Sequence, residues 1–183
     1  MLTKSRVEKI LDLVKKEYDY MNNKPIYILV NNFGRWCTET ATDYYNLILN
    51  KEFKDDNFAI FFYNYLAEEF NFDVMWAREY YKTTMEALAL LHEIGHIQQT
   101  MNMKVDERYT KIMNKTYKDY RKKSYESKKE KLIAYRKISY EYLADKFAVD
   151  MFNKYAVKIL AILNNTTQKE IKNKLAESKK KIA

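Results

Sequence analysis

Apolar positions along this chain recur mostly at the three-to-four spacing of helices, with two short exceptions near the N-terminus. In "SRVEKILDLVKKEYDYM" one face collects Val7, Ile10, Leu11, Val14, Tyr18 and Met21. This predicts a helix with one buried side, which Asn22 and Asn23, just before Pro25, should stop. "PIYILV", residues 25–30, is β-branched and continuously apolar, and predicts a buried strand. "NNFGRWCTETATD" reads as loop or turn around Gly34. "YYNLILN", residues 44–50, predicts a second strand with Leu47 and Leu49 on one face.

From Asn57 onward the pattern is helical throughout. "NFAIFFYNYLAEEF" predicts a strongly apolar helix. "REYYKTTMEALALLHEIGHIQQTMNM" predicts a longer one, with Met85, Leu88, Leu91, Ile94 and Gly95 as its core-facing stripe. Residues 104–137 should form one or two basic helices, and "KISYEYLADKFAVDMFNKYAVKILAIL" another amphipathic one. In "NTTQKEIKNKLAESKKKIA" Thr167 and Glu170 make a capping-box signature before a lysine-rich helix or tail, residues 166–183, whose end should fray. The expected class is α+β, predominantly helical, in a single domain spanning residues 1–183.

Composition supports that picture. The 183 residues include only 2 Gly and 1 Pro, which favours long uninterrupted helices. The 17 Tyr and 9 Phe fit a codon bias toward A and T, so they point to no chemistry by themselves. Cys37 is alone, which excludes an internal disulfide and a thiolate zinc cluster. A charged N-terminal stretch and the lack of a run of ~20 apolar residues lead us to expect a cytoplasmic protein without membrane association. Charge is unevenly placed: residues 1–103 carry a net −4, whereas residues 104–137 alone carry +8. That basic arm mixes Lys and Arg with Tyr. It is a solvated surface, a dock for an acidic partner, or a nucleic-acid contact.

Both histidines fall in "LALLHEIGHIQQ", residues 88–99. His92 and His96 are one helical turn apart and project from the same face, so their ring nitrogens can converge on one ion at about 2.0–2.1 Å. Glu93, about 100° round the helix, cannot join them but can flank water on that ion. This is the H-E-x-x-H arrangement. Its apolar setting matters, because two imidazoles and a carboxylate are costly to bury without partners. A metal removes that cost.

A catalytic zinc takes three protein ligands and leaves one position open. With no third histidine, the remaining ligand is a carboxylate. A metzincin pattern would require Gly at 99 and His or Asp at 102, where this chain has Gln99 and Asn102. "YEYLADKFA", residues 140–148, offers Glu141 and Asp145 on one face, beside an Ala144 small enough for close helix approach. Glu141 can complete the metal shell while Asp145 accepts the free ring N–H of a histidine. Taken alone, these acids with Lys137 and Lys146 would make an ordinary solvated helix face. Asp106 and Glu107 lie nearer to His96 but in a basic stretch without a comparable apolar frame.

"HEIGH" followed by "EYLADKFA" resembles the gluzincin metallopeptidases, most closely the ImmA/IrrE family, in which an H-E-x-G-H helix precedes an E-x-x-A-(N/D)-x-F-A helix. The resemblance covers about a tenth of the chain. It implies His92, His96 and Glu141 as zinc ligands, Glu93 as catalytic base, and a cytoplasmic metallopeptidase acting on an intracellular protein. It further implies a minimal zincin fold, with a small sheet packed on the HExxH helix and the basic arm 104–137 inserted before the helix of the Glu ligand. The gap between His96 and Glu141 is longer than the family pattern, and its usual proline after F-A is missing. The "NLILN" strand is also similar to one in SprT-like zincins, but these use a third histidine.

On this reading zinc lowers the pKa of its water and polarises the scissile carbonyl, while Glu93 shuttles the proton. An extended peptide would lie along a sheet edge, supplied by "PIYILV" or "NLILN". A Tyr or Arg should serve as oxyanion donor. The competing class is a zincin-fold binding protein, either a pseudoenzyme or a module that holds a partner or nucleic acid through its basic arm.

Overall fold

A computed structural model describes residues 2–31, 36–40, 43–51, 56–70, 72, 76–102 and 107–180. Among them are seven α-helices and one three-stranded sheet, so the molecule is α+β and mostly helical. The expected turn around Gly34, Asp106 and the C-terminal residues 181–183 lie outside the described residues, as does the side chain of Glu107.

The first helix, α1 (Lys4–Glu17), is capped by the Thr3 side chain and buries Val7, Ile10, Leu11 and Val14. It stops four residues before Met21, because Tyr18 turns the chain into a short 3-10 segment, Asp19–Asn22, that still buries Met21. Glu17 at its end accepts hydrogen bonds from Lys154 and Tyr155, which ties α1 to a helix near the C-terminus.

The sheet contains β1 (Ile26–Asn31), β2 (Cys37–Thr40) and β3 (Tyr45–Asn50) in the order β1-β3-β2. β3 pairs parallel with β1 and antiparallel with β2. Its burial alternates strictly: Tyr45, Leu47 and Leu49 are buried, and the residues between them only partly so. The sheet corrects the sequence reading in three ways. β1 is a half-buried edge strand rather than a buried one; Ile28 faces the core while Tyr27 and Leu29 are 53% and 50% exposed. β2 lies inside the expected loop, because its polar "CTET" is strand by virtue of backbone pairing to β3 and not of burial. "NLILN" is the central strand, so it has no free edge to offer a peptide.

Helix α2 (Asp56–Phe70) precedes α3 (Trp76–Asn102), a 27-residue helix with a kink at Tyr80. The basic arm forms α4 (Glu107–Lys122) and α5 (Lys128–Arg136), the latter capped by Ser127. Helix α6 (Ser139–Asn164) follows and ends in a left-handed Asn165, a conformation that asparagine tolerates. In α7 (Gln168–Lys180) the capping box is formed: the Glu170 amide donates to the Thr167 hydroxyl and the Thr167 amide to the Glu170 carboxylate. No helix among the described residues is long and apolar enough to cross a membrane.

The core is built on α3 lying against α6. Leu88, Leu91 and Ile94 from α3 join Ala148, Met151, Phe152, Ile159 and Leu160 from α6 in one buried cluster. The two helices come close at Gly95: a β-carbon there would sit 3.2 Å from the Cα of Ala144 and 3.0 Å from the Phe147 ring. Gly95 and Ala144 thus set the spacing at which residues one turn away face each other across the helix pair. Gly95→Val should push the helices apart and destabilise the protein by about 1–3 kcal/mol, read as a lower urea midpoint with an unchanged slope.

Candidate metal centre

His92 and His96 lie on α3 beside Gly95, and Glu141 and Asp145 lie on α6 on either side of Ala144. The close helix contact therefore brings both pairs together, and all four residues are buried. His92 Nε2 and His96 Nε2 are 3.0 Å apart, and Glu141 Oε2 lies 3.3 Å from the first and 3.7 Å from the second. An ion bound tetrahedrally at about 2.0–2.1 Å holds its donors about 3.3 Å from one another. The three atoms therefore make one face of such a tetrahedron. Among the described residues, His92, His96 and Glu141 form a group that could hold a metal ion.

The surroundings agree with that use. His92 Nδ1 lies 2.8 Å from Asp145 Oδ1, so the ring N–H donates there and the Nε2 lone pair turns toward His96 and Glu141. Arg136 Nη1 donates to the same Asp145 oxygen at 3.0 Å, which is why it comes within 3.4 Å of His92 Nδ1 without bonding to it. The Tyr140 ring stacks on His96 with centroids 4.3 Å apart and fixes the second imidazole. Two imidazole nitrogens and a carboxylate oxygen this close, in a pocket this dry, need a proton or a cation between them. Burial opposes charge on His92, but its bonds to Asp145 and Glu141 outweigh that and push its pKa up to about 9. Burial also opposes the charge on Glu141, yet the two histidines hold its carboxyl well below the usual range.

Glu93 takes no part in the triad. It is partly buried, has no hydrogen-bond partner among the described residues, and feels both histidines and Glu141 electrostatically. Burial raises its pKa above the ordinary carboxylate value, with the two histidines acting in the opposite sense.

The structure brings the expected residues His92, His96, Glu141 and Asp145 into one group, and the burial of Glu141 and Asp145 does not fit a solvated Glu–Lys face. The sequence reading missed the contribution of the basic arm. Tyr117 from α4 and Tyr135 from α5 donate to Glu141 Oε1 at 2.7 and 2.8 Å. Arg136, buried with its guanidinium 4.4 Å above the Phe62 ring, reaches Asp145 from the end of α5. Arg136 gives no signal in the sequence, because its face of α5 also carries Lys128 and Lys129 beside Leu132. Nothing in the pattern distinguishes Tyr117 or Tyr135 from the other tyrosines.

No protein-family model matches the chain, and no curated protein or solved structure gives a significant match. The case for the site stands on its own geometry.

Two outcomes follow. In the metal-free protein the raised pKa of His92 contributes stability that is full below about 6.5 and is lost as the pH rises through about 9. An added divalent ion such as Zn2+ must displace that proton, so at pH 7 its uptake should release about one proton and its affinity should climb toward pH 9. Titration calorimetry in buffers of different ionisation enthalpy measures both. Asp145→Ala, which removes the acceptor of the His92 N–H, should weaken Zn2+ binding about 10- to 100-fold in a competition assay with a chromophoric chelator.

Proposed function

We propose that this protein is a zinc-dependent metallopeptidase of the gluzincin type, most similar to the ImmA/IrrE family, and that it cleaves peptide bonds in an intracellular protein. The observation that carries this reading is the triangle of His92, His96 and Glu141 donor atoms with Glu93 beside it. Two imidazoles and one carboxylate fit zinc better than calcium or magnesium, which favour oxygen. Three protein donors leave the open corner that separates catalytic zinc from structural zinc.

His92, His96 and Glu141 would hold the zinc, which supplies a Lewis acid and lowers the pKa of water from about 15.7 to about 7. Glu93 takes the proton from the attacking water. Its raised pKa brings it nearer to neutral pH, where a base can both accept a proton and pass it to the leaving amine. Asp145 keeps His92 in the tautomer whose Nε2 faces the ion, and Arg136 shares that Asp145 oxygen from the other side. The zincin reading also fits the arrangement of the small sheet. Of its two edge strands, β2 is the one that packs against α3, and it would hold an extended substrate by backbone pairing.

A second reading concerns the arm. Arg108, Lys111, Lys115, Lys118, Arg121 and Lys122 are exposed on α4, while Tyr120 packs on Tyr125 and Tyr135. Cations outward and rings inward favour an acidic protein partner over stacked nucleotides. Binding to DNA that falls steeply with salt would reverse that preference.

Glu93→Gln should retain zinc and lose at least 10²–10⁴-fold of the cleavage rate, roughly the share of a general base. His96→Ala should lose both metal and stability. Cells that express wild type or Glu93→Gln can be compared for protein cleavage products across the proteome. Identical product sets would overturn the peptidase reading.

A further inference from the structure

Glu141 could offer a metal either one oxygen or both, since carboxylates bind in both modes. The choice matters at this site. One oxygen leaves a corner open beside two imidazoles; two oxygens fill it. The structure answers through the basic arm. Glu141 Oε2 faces the two Nε2 atoms, while Oε1 accepts hydrogen bonds from the hydroxyls of Tyr117 and Tyr135. A carboxylate oxygen has two in-plane lone pairs, and both of those on Oε1 are engaged.

We propose that Tyr117 and Tyr135 are positioning residues that keep Glu141 a one-oxygen ligand and so keep the open corner available to water and substrate. The proposal rests on the metallopeptidase reading of the site. Three features support it. The two phenols come from different helices, α4 and α5, yet meet at a single oxygen with their ring centroids 6.2 Å apart. Both donate to Glu141 Oε1 at ordinary hydrogen-bond lengths, 2.7 and 2.8 Å. Finally, the arm is rich in lysine, but the groups it sends to Glu141 Oε1 are neutral. An ammonium there would compete with the ion for the carboxylate charge; a phenol orients the oxygen and leaves that charge in place. The one arginine of the arm that reaches the site, Arg136, bonds to Asp145 instead.

The test uses the full chain loaded with Co2+, whose visible ligand-field absorption weakens as its coordination number rises from four to five. Wild type should show the strong four-coordinate band. Tyr117→Phe with Tyr135→Phe keeps both rings and frees Oε1, and should show a weaker band at one Co2+ per chain and unchanged helicity by circular dichroism. Tyr120→Phe, in the same aromatic cluster but away from Glu141, should match wild type. Should the double variant fail to fold, Tyr117→Phe alone decides, and it should fall between the two. A double or single variant with the wild-type band at full Co2+ occupancy would overturn the clamp and leave the metallopeptidase reading intact. A wild-type protein that takes up no Co2+ would overturn both.

Discussion

The site depends on how near two helices can come. With Gly95 on α3 and Ala144 on α6 at the contact, the helices approach so closely that a β-carbon at Gly95 would lie 3.2 Å from the Ala144 Cα, and side chains one position or one turn away share a small dry space. A side chain at position 95 would crowd Ala144 and Phe147 and shift the histidines of α3 relative to Glu141 on α6. The packing therefore acts before the chemistry. Hydrophobic burial along Leu88, Leu91, Phe152 and Leu160 supplies the free energy that keeps four polar groups out of water, and those groups remain satisfied only as a set.

Around that contact the polar groups are arranged by direction. On one side of the histidine pair Asp145 draws the His92 N–H, and Arg136 balances the Asp145 charge from over the Phe62 ring. On the other side Tyr117 and Tyr135 draw away the second oxygen of Glu141. His92 Nδ1 and Glu141 Oε1 are thus both engaged away from the triad, whereas His96 Nδ1 and Asp145 Oδ2 are buried without a hydrogen-bond partner among the described residues. The arm's hydrogen bonds to Glu141 and Asp145 come from its tyrosines and Arg136 and not from the exposed cations of α4.

Local spacing was readable, whereas long-range pairing was readable only where two local motifs, "HEIGH" and "EYLADKFA", shared one chemistry. His92, Glu93 and His96 are legible because helical geometry fixes the relation of positions one turn apart. The same holds for Glu141 and Asp145, and for the capping box at Thr167. β2 was hidden because its identity as a strand resides in its partner, β3; a polar four-residue segment has no periodicity of its own to read. The apolar run of β1 reads as buried because composition does not say that the strand lies at a sheet edge. For Tyr117 and Tyr135 the obstacle is abundance. In a chain with 17 tyrosines, only the fold can tell which two reach a carboxylate.

The donors of the centre lie far apart in the chain, with α4 and α5 strung between His96 and Glu141. An ion held there would act as a removable cross-link that closes a long loop, and the chain-entropy benefit of such closure falls on the unfolded state. Occupancy and order of the arm would then be one equilibrium: the atoms that hold the ion would also fasten the segment that covers them.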